Sequence, residues 1–190
     1  SMVIRAVRLA EKKGGKSDLK AGRSRPIRAV VVVMSDSVSA GQKTDVSGRL
    51  IADRLRTEGV EVIECLVISD DADTIERTLI RSADELAVDL VMTTGGTGLG
   101  PRDHTPEVMA RVIEREAPGI AEAARAHGQE RTPFSMLSRG KAGIRGRTLI
   151  VNLPGSPRGV AESLDALLRP ILHAFPIMDG GGHTASAADR

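Results

Sequence analysis

Residues 89–103 read DLVMTTGGTGLGPRD, an apolar run that passes directly into a loop with four glycines. The run from Asp89 to Thr94 is predicted to be a β-strand. Thr105 and Pro106 follow the loop and predict the start of a helix, because proline is favoured at the first helical position, where its missing N–H has no partner. A strand, a glycine-rich turn and a helix in this order form one unit of an α/β fold.

The same alternation continues on both sides of this unit. Further strands are predicted for Ile27–Met34, Val60–Ile68 and Arg147–Leu153. Further helices are predicted for residues 47–58, 72–86 and 119–127, and from Pro157 to about Leu172. Strands that alternate with helices across short loops are typical of a three-layer αβα domain with a mostly parallel sheet, and we predict this α/β fold class.

This fold class places the candidate ligand site at the carboxyl ends of the strands, where ligands bind in such sheets. The loops at that edge are 35–47, 69–71, 95–104 and 154–157. The third loop opens with Gly95, Gly96, Thr97 and Gly98. These residues let the backbone approach a ligand closely and direct several N–H groups at an anion, although an ordinary tight turn is the alternative. The spacing does not match the dinucleotide-binding motif G-x-G-x-x-G, because Pro101 occupies the position of its last glycine.

Two carboxylates mark the same edge. Asp70 follows the second strand, and Asp103 ends the glycine-rich loop. A carboxylate beside a phosphate-binding loop can hold Mg²⁺ or orient a nucleophile, which makes Asp103 the candidate metal ligand. Each aspartate has an alternative role as the N-cap of the helix that follows it.

Three other loops contribute candidate binding residues. They are Ser35, Asp36 and Ser37 after the first strand, Ser138 and Arg139 in a later connection, and Pro154, Gly155 and Ser156 after the fourth strand. Small polar side chains are suited to contact ribose or phosphate, and a guanidinium can grip a phosphate at two points. Each of these segments is also compatible with an ordinary turn.

The composition excludes several classes of protein. A chain of 190 residues favours one domain. A single cysteine excludes an internal disulfide, and two phenylalanines as the only aromatic residues leave almost nothing on which nucleic-acid bases could stack. No apolar run approaches the ~20 residues of a membrane span and no secretory leader is visible, so we expect a cytoplasmic protein with no membrane partner.

The charge is uneven along the chain. Residues 1–28 hold nine basic and two acidic residues, whereas the remainder holds 18 basic and 23 acidic residues. We predict a flexible basic arm over 1–26, a ligand-binding domain over 27–178 and a disordered tail over 179–190. A basic arm is also an alternative sign of nucleic-acid binding, but a charge run alone is a weak signal and we expect no nucleic-acid partner.

Taken in this order, the loops resemble those of the molybdopterin adenylyltransferase family, the MogA/MoaB proteins and the G domains of plant and animal molybdenum-cofactor proteins. The resemblance covers about residues 27–175. The matching motifs are Ser35–Gly41 with Asp45, Ser47 and Gly48; Ile68–Asp71; Thr93–Gly98 with Pro101–Asp103 and Thr105–Glu107; Met136–Arg139; Ala142–Gly146; and Asn152–Pro157. His104 stands where many relatives have valine.

The resemblance implies a trimer-forming α/β fold, as a homotrimer or a dimer of trimers, that adenylylates molybdopterin with Mg·ATP and releases pyrophosphate. The family's two key acids match Asp70 and Asp103, its glycine-rich loop matches Gly95–Gly98, and its ligand-contacting serine matches Ser138. A molybdate-inserting enzyme is then the downstream partner. The alternative is a MoaB-type protein that binds molybdopterin without transferring adenylate.

The amino-terminal segment carries a second resemblance. Residues 7–17 read VRLAEKKGGKS and look like the carboxyl-terminal end of MoaC, cyclic pyranopterin monophosphate synthase. This implies a piece of a fusion between two enzymes of one pathway, with a MoaC domain as a possible fused partner. Lys12 and Lys16 are expected to have no catalytic role here, because the matching active site needs the rest of that domain.

Overall fold

One seven-stranded sheet forms the middle layer of the molecule. In the computed structural model, which describes residues 5–6, 23 and 25–180, its strands are β1 (Arg5–Ala6), β2 (Arg28–Met34), β3 (Glu61–Ile68), β4 (Leu90–Thr94), β5 (Arg115–Glu116), β6 (Ala142–Arg145) and β7 (Thr148–Leu153). They lie in the order β1-β3-β2-β4-β7-β6-β5. The four central strands run parallel to one another, and antiparallel strands complete both edges.

Helices cover both faces of this sheet. They are α1 (Asp36–Ser39), α2 (Ser47–Thr57), α3 (Ala72–Ile80), α4 (Thr105–Val112), α5 (Pro118–Gln129) and α6 (Pro157–Met178), with a π-helical turn at Arg81–Glu85 and a 3-10 turn at Pro133–Leu137. None of the helices within the described residues has the length and apolar character needed to cross a membrane.

The sequence of the central strands explains the three layers. Successive side chains of a strand point to opposite faces of the sheet. Val31 and Met92 therefore pack in the core under α2 and α6, whereas Val30 and Val91 pack in the core under α3 and α4. These four side chains are fully buried, as expected for parallel strands covered on both faces. The predicted three-layer α/β fold is confirmed.

The structure differs from the prediction mainly at the edges and helix ends. Strands β1, β5 and β6 were not predicted, because they have two, two and four residues and no apolar run, and β1 lies within the predicted flexible arm. Helix α6 continues past Pro170 and Pro176 to Met178, beyond its predicted end at Leu172. The buried ring of Phe175 anchors these last turns in the core, which offsets the backbone hydrogen bonds that the prolines lack.

Little of the predicted basic arm lies within the described residues, and the domain boundaries at 26 and 178 stay a prediction. Arg5–Ala6 pairs with β3 at the edge of the sheet. Arg23 and Arg25 each donate to the buried carboxylate of Asp89 at 2.8 Å, and so does the backbone N–H of Arg28. These bonds hold the described part of the arm against the domain, at the end of the sheet opposite the predicted site.

Candidate active site

The candidate site begins where β2, β3 and β4 end, at one edge of the sheet. Ser35 follows β2 and donates its backbone N–H to the carbonyl oxygen of Ile68 in β3 at 3.0 Å. Gly95 follows β4 with a φ of +104°, and a Cβ there would lie 2.2 Å from the carbonyl oxygen of Met34. Only glycine allows the loop after β4 to approach the end of β2 this closely.

Two aspartates from different loops meet at this edge. The backbone N–H of Asp36 donates to Oδ2 of Asp70 at 2.9 Å, and the backbone N–H of Asp70 donates to Oδ1 of Asp36 at 3.0 Å. Arg102 of the glycine-rich loop donates Nε to Oδ2 of Asp36 at 2.7 Å. The structure thus brings together three loops that the sequence analysis singled out separately.

The carboxyl group of Asp70 has a pKa above its ordinary value. Burial is the largest cause, because it disfavours the charged form. The neighbouring charges of Asp36 and Asp103 raise the pKa further, whereas the Asp36 N–H and the Arg102 guanidinium lower it. Asp103 follows Arg102 in the chain, so the hydrogen bonds from Arg102 to Asp36 and from Asp36 to Asp70 place the two candidate acids at the same edge of the sheet.

Neither candidate acid has the capping role that was its alternative. Helix α3 is capped by Asp71, whose carboxylate accepts the N–H of Thr74 at 2.8 Å. Helix α4 begins without a side-chain cap, and the Asp103 carboxylate instead accepts the N–H of Gly100 at 2.8 Å. Both carboxylates therefore accept N–H groups of the loops at the sheet edge, that of Asp36 for Asp70 and that of Gly100 for Asp103.

The glycine-rich loop folds closely around Asp103. A Cβ at Gly98 or at Gly100 would lie 2.8 Å from Oδ2 of Asp103, so a larger residue at either position would displace this carboxylate. Gly96 has a φ of +64°, and a Cβ there would lie 2.2 Å from Oγ1 of Thr105. Thr97 is buried between these glycines. The shape of the loop thus depends on the absence of side chains at its turns.

The serines after β2 are engaged locally. Ser35 is the N-cap of α1, and its Oγ accepts the N–H of Val38 at 3.3 Å. Its Oγ also lies 3.2 Å from Oγ of Ser37. Both hydroxyls stand beside Asp36, within the site that the sequence predicted.

Arg139 is tied to the glycine-rich loop rather than left free for a ligand. Its Nε donates to the carbonyl oxygen of Gly98 at 2.8 Å, and its Nη2 donates to that of Asp103 at 2.7 Å. Its Nη1 pairs with the carboxylate of Glu107, whose pKa this hydrogen bond lowers. The guanidinium therefore joins the segment that carries Ser138 to the loop that carries Asp103.

The segment after β7 closes the other side of the loop. Thr94 donates its hydroxyl to the carbonyl oxygen of Pro154 at 2.6 Å, and Ser47 donates its hydroxyl to that of Gly155 at 2.9 Å. Ser156 is the N-cap of α6 and accepts the N–H of Gly159 at 3.1 Å. The predicted residues 154–156 thus lie next to the glycine-rich loop and bind it to α2 and α6.

A cavity of about 240 Å³ opens beside this segment. Its wall includes three predicted site residues, Ser138, Pro154 and Ser156. It also includes Arg125 of α5 and Asn152 of β7, which the sequence analysis did not single out as candidate binding residues. Asn152 stood within a matching motif, but no sequence signal distinguished Arg125 from other surface arginines. The candidate acids and Gly95–Gly98 are not part of this wall, so the site has two halves joined by Arg139.

The carboxylates fit a magnesium ion held partly by substrate. Within residues 5–6, 23 and 25–180, no three His, Cys, Asp or Glu side chains form a metal-binding group. Mg²⁺ needs no such cage, because it keeps several waters and is bound through one or two carboxylates and substrate phosphates. Asp103 offers Oδ1, which accepts no hydrogen bond from the described residues, and Asp70 lies nearby.

A family model described as "Probable molybdopterin binding domain" matches residues 30–174. The chain belongs to this family. The matched range contains most of β2, all of β3 to β7 and most of α6, and therefore both halves of the candidate site. The predicted relationship to the MogA/MoaB proteins is confirmed.

Several known proteins resemble this molybdopterin-binding domain. A molybdopterin adenylyltransferase of Helicobacter pylori is 38% identical over 79% of this chain and 86% of its own length. A molybdenum cofactor biosynthesis bifunctional protein of Chlorobaculum tepidum is 39% identical over 96% of this chain, which spans 57% of that protein. The crystal structure of MoaB from Thermus thermophilus has a TM-score of 0.77 and 42% identity, covering 81% of this chain and 97% of that one.

Proposed function

We propose that this chain is a molybdopterin adenylyltransferase, which joins the AMP part of ATP to the phosphate of molybdopterin and releases pyrophosphate. The observation that carries the proposal is the convergence of Asp70, Asp103 and the glycine-rich loop at one edge of the sheet. Support also comes from the family and from relatives named molybdopterin adenylyltransferase, including that of Escherichia coli at 36% identity.

The proposed reaction is an in-line displacement at phosphorus. An oxygen of the molybdopterin phosphate forms a bond to the α-phosphorus of ATP, and the bond from that phosphorus to the bridging oxygen breaks. Pyrophosphate leaves with the electron pair. Such a step depends on aligning two polyanions and neutralising their charge rather than on covalent catalysis.

The described residues divide this task between the two halves of the site. The backbone N–H groups of Gly96, Thr97 and Gly98 bind phosphate oxygens, as the amides of a glycine-rich turn can, whereas the N–H of Gly95 already donates to the carbonyl oxygen of Leu153. Ser138 contacts the substrate from the cavity, with Ser156 and Pro154 in the same wall. The edge of the site beside Asp70 is formed by Ser35, Asp36 and Ser37. Arg139 and Gly155 hold these segments in place through the bonds described above.

Magnesium belongs to the proposal as the partner of ATP. When bound, Mg²⁺ supplies positive charge to the phosphates and offsets the negative charge that develops on the leaving group. Asp103 is its proposed protein ligand, with Asp70 as the second carboxylate. Arg102 stands beside them in its bond to Asp36 and adds one fixed positive charge.

The test is the complete reaction with the purified chain. Molybdopterin and Mg·ATP are expected to give adenylylated molybdopterin and one pyrophosphate for each product. Asp103→Asn keeps an acceptor for the Gly100 N–H but removes the charge, and is expected to abolish product formation. Asp165→Asn, on the exposed surface of α6, is the matched control and is expected to retain full activity. An unaffected Asp103→Asn variant removes Asp103 from the mechanism.

The second candidate function is molybdopterin binding without adenylyl transfer. It comes from the resemblance to MoaB-type proteins, and the MoaB of Thermus thermophilus, at 42% identity, is described as a molybdopterin biosynthesis enzyme. It predicts that the wild type binds molybdopterin but releases no pyrophosphate from ATP. The same assay therefore separates the two functions.

The proposal also covers the amino-terminal arm, residues 1–26, and the oligomeric state of the chain. Bifunctional relatives match 96% and 95% of this chain, whereas the Helicobacter pylori adenylyltransferase matches 79%, which supports residues 1–26 as part of a fusion with a MoaC-like domain. We further propose a homotrimer, or a dimer of trimers, in the cytoplasm, followed by a molybdate-inserting enzyme. Light scattering on the purified chain tests the trimer through its mass.

A further inference from the structure

A second cavity, of about 230 Å³, adjoins the one beside Ser138. The two cavities share four wall residues, which are Ala121, Arg125, Ser138 and Gly140. Arg125 therefore stands at the boundary between them, in contact with the segment 138–140 that links the cavities to the glycine-rich loop. We refer to both spaces together as the joined cavity.

Arg125 is held firmly at this boundary. Its Nη1 donates to the carbonyl oxygens of Ser138 and Gly140, at 3.3 and 3.1 Å. Its own carbonyl oxygen accepts the hydroxyl of Ser135 at 3.0 Å. The two bonds from Nη1 fix one side of the guanidinium. Its Nε and Nη2 have no acceptor among the described residues.

The charge of Arg125 sets it apart from the other basic residues of the joined cavity. Arg131 pairs with Glu162, Arg139 pairs with Glu107, and Lys141 pairs with Glu116 at 2.6 Å. Arg125 has no carboxylate partner in the described part of the chain, only the two carbonyl oxygens. A half-buried guanidinium without a counter-ion is costly to maintain, and a bound anion removes that cost.

A second polar group of the same wall also lacks a partner. Asn152 is 5% exposed, and its Nδ2 donates to Oγ1 of Thr93 at 2.9 Å and to the carbonyl oxygen of Gly95 at 3.4 Å. These bonds fix the amide so that Oδ1 is the free end, and Oδ1 has no hydrogen-bond donor among the described residues. A buried acceptor without a donor is rare in native proteins and points to a hydrogen-bond donor on a missing ligand, a part of that ligand other than an anionic phosphate.

We propose that Arg125 binds a phosphate group of the substrate in the joined cavity through Nε and Nη2. The fork of an arginine suits two oxygens of one phosphate, and the described acids of the cavity wall are already neutralised by other cations. This inference rests on the proposed function for its substrate. The phosphate belongs either to molybdopterin or to ATP, and the experiment distinguishes the two sources.

The experiment measures binding by calorimetry with the full chain and two probes, molybdopterin and α,β-methylene-ATP with Mg²⁺. Arg125→Gln keeps an N–H donor for the carbonyl oxygens but removes the charge. It is expected to weaken binding of one probe by about 10- to 100-fold and to change the other by less than about twofold. The weakened probe identifies the source of the phosphate. Arg125→Lys keeps the charge and is expected to lose less affinity than Arg125→Gln.

Arg131→Gln is the matched control, because Arg131 lines the same cavity but is already paired with Glu162. It is expected to leave both affinities within about twofold of the wild type. Equal affinity of Arg125→Gln and wild type for both probes overturns the inference, and so does an equal loss in Arg131→Gln. If the wild type forms product while Arg125→Gln has unchanged KM values, this inference alone fails. If the wild type binds neither probe, the proposed function fails with it.

Discussion

Asp36 and Asp70 exchange hydrogen bonds, each donating its backbone N–H to the carboxylate of the other, at 2.9 and 3.0 Å. This exchange fixes the ends of β2 and β3 relative to each other. It also holds two negative charges side by side at the edge of the sheet. The arrangement resists ionisation of Asp70, and a cation bound at this edge relieves the repulsion.

Asp70→Asn is expected to abolish adenylyl transfer without lowering stability at neutral pH. The raised pKa means that the folded state binds protons at a pH where the unfolded state has lost them, so stability falls as pH rises through this range. Ionised Asp70 therefore costs stability at neutral pH, and asparagine removes that cost while keeping an acceptor for the Asp36 N–H. Thermal unfolding and product formation measure the two effects. A large drop in Tm would instead assign Asp70 a structural role.

The acid limb of the activity profile is expected above the ordinary pKa of an aspartate, because the ionised form of Asp70 is needed to hold the metal. Burial is the main cause, and the charge of Asp36 adds to it. Asp36→Asn removes that charge and is expected to move the acid limb to lower pH. The measurement is kcat/KM against pH for both proteins. An acid limb that stays in place contradicts the coupling between these two residues.

Arg139→Gln is expected to lower kcat by about 10- to 100-fold, because it removes hydrogen bonds from a charged group that position Gly98 and Asp103. Arg139→Lys is not expected to restore activity, since one ammonium cannot reproduce the planar fork. Arg111→Gln, at an exposed ion pair on α4, is the control. A raised KM for ATP with unchanged kcat would return Arg139 to the phosphate-binding role that the sequence predicted.

Gly95→Ala is expected to disrupt both the fold and the site, because the new Cβ would meet the Met34 carbonyl oxygen at 2.2 Å and neither backbone can move freely. Gly59→Ala is the matched control. Gly59 also has a positive φ, of +80°, but nothing lies within 4 Å of its Cβ position. The control is expected to cost about 1–2 kcal/mol of unfolding free energy for the backbone conformation alone. Urea unfolding compares the two, and equal costs would contradict the close approach at Gly95.

Asp89→Ala is expected to lower the free energy of unfolding by about 1.5–3 kcal/mol, because it removes a buried carboxylate that accepts hydrogen bonds from Arg23 and Arg25, while Arg23 keeps its second partner, Asp179. Asp165→Ala, at an exposed ion pair with Arg54, is expected to cost less than about 1 kcal/mol. Burial opposes ionisation of Asp89, but Arg25, Arg23 and the Arg28 N–H outweigh it and lower the pKa.

The pH dependence of this effect follows from that lowered pKa. The contribution of Asp89 is present above the unfolded-state pKa and is lost as pH falls through the folded-state value. Urea unfolding at neutral and acidic pH is therefore expected to show a gap between wild type and Asp89→Ala that narrows in acid. A gap that is independent of pH would mean that the carboxylate charge contributes nothing.

The sequence predicted those parts of the fold that depend on local pattern. The β-branched run within Ile27–Met34 predicted a buried strand and the glycines after Thr94 predicted a turn, and the structure has both, with positive φ at Gly95 and Gly96. Strand β6 escaped prediction, because Ala142–Arg145 is a strand only through its pairing with β7. The cap of α3 is Asp71 rather than Asp70, a difference of one residue that helix propensity does not resolve.

The candidate site was predicted where residue types carried the signal and missed where pairing decided the role. Asp70 and Asp103 were recognisable as carboxylates at strand ends. Arg125 was not recognisable. It was singled out because it has no carboxylate partner among the described residues, and the sequence does not show which charged residues pair in the folded protein. The role of Arg139 changed for the same reason, since its acceptors Gly98 and Asp103 are distant in sequence.

The most direct test of the proposed function follows the α-phosphorus of ATP in a single turnover. ATP labelled at the α-phosphate is mixed with molybdopterin, Mg²⁺ and the wild-type chain, and the products are separated. The predicted result is label in adenylylated molybdopterin, unlabelled pyrophosphate, and neither product with Asp103→Asn. Label that remains in ATP while molybdopterin is bound, or equal transfer by Asp103→Asn, would contradict the account.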